Sequence, residues 1–294
     1  MTNVQSLART YITDEGPLFE ERYNRAPFMF DHSLHELDIF DIPNLAEVSK
    51  RLSAYYSNDS ADIGDGWGSD AAKRPSLSET IATIAETNSL VLMKGLAEDP
   101  EFAPVFDRVL EEIYDRVGSA LTGDVTVSRA TLIISSPNRV TPYHIDAETN
   151  FLFQLRGDKI VNVFNPNDRT LLTDLELERF YAGDMSAATY QIDRQKDATV
   201  FDFAPGKGAH IPILSPHWVQ NGDSVSVAIS INCSLGTNKR LAHLYKVNNF
   251  IRKSGLVPAP PGASAWQDRL KLAAVDGMNY VRRGGPFGRK IAKP

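Results

Sequence analysis

The sequence predicts a mainly β protein with flanking helices, its core an antiparallel barrel or sandwich. Three observations predict it. Seven short apolar runs crowd into residues 125–235, turns such as SSPN, RGD, APGKG and NGD separate them, and helical periodicity is confined to the segments on either side. In chain order, residues 1–35 read as irregular. ELDIFDIP (36–43) reads as a strand and NLAEVSKRLSAYY (44–56) as a helix opened by Asn44. The Gly-, Asp- and Ser-rich stretch 57–75 reads as a loop, and Ser76 or Ser78 as the cap of a helix running to Thr87. SLVLMKGL (89–96) is a short apolar strand. Phe102, Val105, Phe106, Val109, Leu110, Ile113 and Val117 recur at helical spacing across 100–121, a helix expected to cover a sheet.

The seven strands expected next are 125–135, 150–155, 159–165, 198–204, 208–214, 217–221 and 224–235. Helical patterns return at 237–255 and 264–283, split by the Pro-rich loop 258–261. The chain therefore divides into an α/β preface (1–124), an all-β core (125–235) and a helical C-terminal region (236–294). The core needs the flanking helices as cover, which makes one compact unit.

The 294 residues carry a net charge of −6, 42% apolar and 23% charged residues. That is ordinary for a soluble globular protein and gives no global electrostatic reason to bind nucleic acid. No run reaches the roughly 18 apolar residues of a membrane span. The polar, acid-containing first 25 residues do not read as a signal peptide. The single cysteine, Cys233, cannot form an internal disulfide and excludes a thiolate-rich zinc site. A cytoplasmic location is expected.

The chemistry concentrates in VTPYHIDAETNF. His144 and Asp146 stand two apart, and on an extended strand such residues project to one side, so an imidazole and a carboxylate can meet one metal ion. A third ligand must come from elsewhere; His217 and His210 both qualify by position. His210 would serve equally well as an aromatic core residue. His32, His35 and His243 lack a partner at ligand spacing and read as surface or packing residues. Two histidines and one carboxylate leave coordination positions open, the donor set that iron(II) oxygenases use.

TPYHIDAETNFLFQLRGDK (141–159) resembles, without a gap, the pattern T-P-x-H-x-D-x-x-x-N-F-x-x-Q-x-x-G-x-K of the JmjC-type, cupin-fold 2-oxoglutarate oxygenases. PGKGAHIPILSPHWVQN (205–221) is similar to their P-G-D-x-x-Y-I-P-x-x-W-W-H-x-V-x-N. The branch it most resembles contains the asparaginyl hydroxylase called factor inhibiting hypoxia-inducible factor. The resemblance spans about 130–235 and implies a double-stranded β-helix core. It implies that His144, Asp146 and His217 hold iron(II) and are the catalytic centre, with His210 at a position usually Tyr or Phe. It further implies that Lys159 and Thr141 hold the far carboxylate of 2-oxoglutarate, and that Asn150 and Asn232 line the co-substrate. Lys207 and Ser215-Pro216 depart from the pattern. Independently, a lysine opening the apolar run KIVNVF is costly to bury unless an anion pairs with it.

The implied activity is that of a 2-oxoglutarate-dependent dioxygenase that uses dioxygen to hydroxylate a protein side chain or a small molecule. Lysine demethylation and an inert cupin-like metal-binding module are the alternatives. The resemblance also implies a homodimer formed through the C-terminal helices. The basic tail, with Arg282, Arg283, Arg289, Lys290 and Lys293, could hold an anion but more often such ends are solvated.

Overall fold

In a computed structural model, residues 9–14, 16–57, 63 and 76–282 are described. The strands are β1 (Phe28–Asp31), β2 (Ser53–Ser57), β3 (Leu90–Lys94), β4 (Val125–Ser135), β5 (Val140–His144), β6 (Thr149–Arg156), β7 (Lys159–Val163), β8 (Thr199–Phe203), β9 (Lys207–Ile211), β10 (His217–Asn221) and β11 (Ser226–Leu235). They form two antiparallel sheets, a seven-stranded one ordered β1-β9-β6-β11-β4-β3-β2 and a four-stranded one ordered β5-β10-β7-β8. From β4 to β11 the chain crosses between the sheets at every step but β7–β8, so the two layers face each other as a jelly roll. Strands β1, β2 and β3, from the first 124 residues, extend the larger sheet at both edges.

The helices are α1 (Leu18–Arg22), α2 (Ile42–Val48), α3 (Leu77–Ala82), α4 (Ala103–Val117), α5 (Ser119–Thr122), α6 (Asp174–Tyr181), α7 (Gly236–Lys253) and α8 (Ala265–Arg282). Val105, Phe106, Val109, Ile113 and Val117 form the buried stripe of α4 and join Leu132, Phe151, Phe153 and Ile229 of the larger sheet in one core cluster. This explains why β6 reads as an almost unbroken apolar run: seven of its eight residues are buried, because one face meets that core and the other faces the opposing sheet. On β9, Gly208 has no side chain because the Phe30 ring fills the place; a Cβ there would lie 2.3 Å from it.

Several sequence expectations need correction. Residues 36–43 are not a strand but short 3-10 turns (Leu34–Glu36 and Asp38–Phe40) leading into α2, which carries Pro43 in its first turn. Proline lacks the ladder N–H and fits a helix start. The helix expected over 44–56 ends at Val48. Ser49 bonds back to the Ala46 carbonyl (2.6 Å), and the chain turns into β2, which pairs with β3. Helix α3 has the expected Ser76 cap, as a capping box with Glu79, but stops at Ala82. Strand β1 lies in the stretch read as irregular, and α6 was not expected. The loop 57–75, Ser57 and Ile63 apart, and residues 283–294 of the basic tail lie outside the described residues.

Candidate metal centre

His144 ends β5 and His217 begins β10, and the two are directly paired across the ladder. Asp146 follows in the loop, where its carbonyl accepts the Leu214 N–H at 3.0 Å. Leu214 is held at φ 60, an uncommon conformation for a branched side chain, in the turn that leads into His217. The result is a compact cluster. Asp146 Oδ2 lies 4.0 Å from His144 Nε2 and 3.9 Å from His217 Nε2, and the three donor atoms are all within 4.8 Å of one another.

Hydrogen bonds set the tautomers. His144 Nδ1 donates to the Pro142 carbonyl (2.7 Å), and His217 Nδ1 donates to the Ser215 carbonyl (2.9 Å). A carbonyl can only accept, so each neutral ring carries its lone pair on Nε2, the nitrogen turned toward Asp146. Such a bond on the far nitrogen is how metal-ligating imidazoles are oriented. Burial, with His144 alongside, lowers the His217 pKa to about 4, which keeps the ring neutral at physiological pH. The donor set therefore fits a divalent metal.

His210, the competing third ligand, is elsewhere. It lies on the outer face of β9, packed among Tyr23, Phe28 and Phe151. Its Nε2 accepts the Asn24 N–H (3.0 Å) and its Nδ1 donates to the Asn150 carbonyl (3.1 Å). Both nitrogens are used, leaving no lone pair for a metal. The other expected residues line the metal cavity, which measures about 240 Å³: Thr141, Lys159, Asn150 and Asn232. Thr141 and His144, three apart, share the cavity face because an irregularity in the β5–β10 register inserts a residue between them.

Lys159 is 5% exposed, and its ammonium has no hydrogen bond or ion pair to any described residue. Burial alone lowers its pKa to about 7. Asn150 and Asn232 sit opposite each other on β6 and β11; Asn150 Nδ2 donates to Asn232 Oδ1 (2.6 Å), while the buried Asn150 Oδ1 has no hydrogen-bond partner. A buried lysine without a described partner in the same cavity as an unsatisfied amide is the signature of a site shaped for a polar ligand. Sequence reasoning missed Asn221 and Ser135. Asn221 lies opposite Lys159 on β10 and donates to Ser135 Oγ (2.7 Å), and both line the cavity. Strict alternation along HWVQN, which puts Asn221 on the face of His217 and Val219, was the available signal.

No family model matches the chain, and no curated protein sequence matches it. Solved structures do. The structure of E. coli ycfD is 16% identical, with a TM-score of 0.55, covering 92% of this chain and 68% of that one. A structure of the E. coli ribosomal oxygenase YcfD in complex with cobalt and 2-oxoglutarate is 16% identical over the same shares, with a TM-score of 0.50. At this identity the likeness establishes the fold: a mainly β protein with flanking helices and a jelly-roll core. No helix among the described residues is long and apolar enough to cross a membrane.

Proposed function

We propose that the protein is an iron(II)- and 2-oxoglutarate-dependent oxygenase, most simply a hydroxylase. One observation carries the reading: a two-histidine, one-carboxylate cluster shares a single cavity with a buried, unpartnered lysine. His144, Asp146 and His217 hold the iron and leave coordination positions open. The Lys159 ammonium and the Thr141 hydroxyl hold the far carboxylate of 2-oxoglutarate, and Asn150 and Asn232 orient its other end. Binding the dianion supplies the counter-charge that Lys159 lacks. The cavity, at about 240 Å³, lies below the roughly 300–1,000 Å³ of drug-sized sites and suits a small co-substrate. When bound, the iron supplies the oxidising chemistry, in which dioxygen and 2-oxoglutarate yield a hydroxylated product, succinate and carbon dioxide. The protein's share is geometry and dryness: His144 and His217 are locked by their Nδ1 bonds, and apolar Leu152, Ile211 and Val219 wall the cavity against water.

The structural neighbour that is named a ribosomal oxygenase supports a protein side chain as substrate, with a small molecule as the other form of the same reading. The asparaginyl hydroxylase branch is supported by the motif run 141–159. A homodimer through the C-terminal helices is supported by exposed Phe250 on α7, Leu256 and Val257 after it, and Trp266 and Leu270 on α8. The reduced, buried Cys233 suits the cytoplasm. An inert metal-binding module would leave Lys159 unexplained. The test is succinate formation from 2-oxoglutarate with iron(II) and ascorbate: the wild type turns over, and His144→Ala and Lys159→Ala do not. Absence of both metal-dependent succinate and 2-oxoglutarate binding in the wild type sinks the proposal.

A further inference from the structure

A second cavity, about 550 Å³, adjoins the metal cavity, and the two share Lys94, Thr131 and Asn232 as common walls. The sizes divide the labour. The inner space suits a small co-substrate, whereas the outer one falls within the range of full ligand sites and opens onto the metal's side of the jelly roll. Lys94 stands at the junction. Along β3, Leu90, Leu92 and Lys94 alternate onto the face that lines the metal cavity; Lys94, which ends the strand, lines it while remaining exposed. The charges around the outer cavity differ in their engagement. Arg129 is paired with Glu148 at 2.9 Å, and Glu148 also accepts from Ser234 Oγ. Glu98 lines the outer cavity alone and makes no ion pair with Lys94. The Lys94 ammonium makes no hydrogen bond or ion pair with any described residue, and Lys94 is the second lysine of the metal cavity.

With the site loaded as proposed above, a ferrous ion, Asp146, a dianionic 2-oxoglutarate and the Lys159 ammonium cancel one another. Lys159 already serves the co-substrate from the deep end, which leaves Lys94 as the lysine of the cavity that the co-substrate does not engage and that pairs with no described acid, Glu98 included. We infer that the outer cavity is the site of the primary substrate and that Lys94 selects a substrate carrying a carboxylate, which it binds at the junction so that a neighbouring C–H bond faces the metal. Thr131 and Asn232 supply the adjoining hydroxyl and amide. This inference rests on the oxygenase reading.

The experiment measures succinate release from 2-oxoglutarate and iron(II) in the presence of matched probes. One arm uses N-acetyl amino acids against their carboxamides; the other uses capped peptides containing Asp or Glu against the same peptides with Asn or Gln. Stimulation in the first arm assigns a free carboxylate, and in the second an acidic side chain of a polypeptide. Acids are expected to stimulate turnover and their amides not. In Lys94→Ala the KM for the stimulating acid rises about ten- to a hundredfold, the range of a charge-assisted hydrogen bond. Lys94→Arg restores most of the affinity, Lys94→Glu abolishes it, and Lys50→Ala, at an exposed lysine paired with Glu47, matches the wild type. Calorimetric binding of the same acid to the metal-loaded protein is expected to follow the same order, independently of turnover. Amides as effective as acids, no stimulation by any acid, or a Lys94→Glu variant with wild-type KM overturns the inference while succinate release still supports the oxygenase. No succinate release and no 2-oxoglutarate binding by the wild type overturns both.

Discussion

The two faces of one pair of strands, β6 and β9, are built to opposite rules. On the outer face, Phe151 and Phe153 pack with Phe19 and Phe30, and His210, the polar ring that β9 contributes, has both nitrogens satisfied. On the inner face, one residue along each strand, Asn150, Leu152 and Ile211 look into the metal cavity, where an amide oxygen and an ammonium group have no partner. Both faces are buried, so burial alone does not distinguish them. Satisfaction does. The side chains these two strands send outward are satisfied without a ligand, whereas those they send inward share a cavity with polar groups that have no protein partner among the described residues. His210 and His217, seven residues apart and both nearly inaccessible, are the sharpest form of the contrast.

That contrast can be broken by mutation, and the largest effect is expected at His217. His217→Ala should weaken metal binding more than about 100-fold, beyond what outer-shell partners carry, with little loss of folding stability. Calorimetry and thermal unfolding read the two quantities separately. His210→Ala should do the reverse. It strands the Asn24 N–H and the Asn150 carbonyl and opens a hole in an aromatic layer, costing about 2–3 kcal/mol by denaturant unfolding, with metal affinity retained.

Lys159→Met sharpens the comparison, because it trades function for stability. Removing a buried cation that lacks a partner should raise the unfolding free energy of the ligand-free protein by about 1–3 kcal/mol at pH 7 while abolishing 2-oxoglutarate binding. The pH dependence has a definite sign. The folded-state pKa, about 7, lies below the unfolded value of 10.5, so between these the unfolded chain binds more protons and stability rises with pH. Wild-type stability should therefore gain a component that climbs from about pH 7 to pH 10, and Lys159→Met should lack it. The smallest effect belongs to Lys207→Ala. Its ion pair with Asp31 joins β9 to β1 at the exposed rim, and its loss should cost no more than about 1 kcal/mol and leave turnover unchanged.

Much of this was legible in the residues, and the remainder has physical reasons. Strands β4 and β6–β11 were readable because pleat periodicity and Gly/Pro turns coincide there. The run KRLSAYY continued a helical pattern, yet the edge of a sheet was available to it, and pairing with β3 overrode local preference. Helix α6 is short, but its capping box of Thr173 and Glu176 was a sequence-level sign that went unread. The H-x-D pair was visible from spacing. The choice between His210 and His217 was not, because it turns on the Asn24 N–H, 186 residues away in sequence. The family resemblance pointed to His217, and the hydrogen bonds supply the reason. Asn221 and Ser135 went unread for the same cause: their meaning depends on Lys159 lying across the ladder.

The most direct test is an anaerobic calorimetric titration of cobalt(II), followed by 2-oxoglutarate, into the wild type, His217→Ala, His210→Phe and Lys159→Met. The account predicts one metal site in the wild type, His210→Phe and Lys159→Met, none in His217→Ala, and 2-oxoglutarate binding only where both the metal and Lys159 are present. Wild-type metal affinity in His217→Ala, or metal binding lost in His210→Phe while it remains folded, would contradict it.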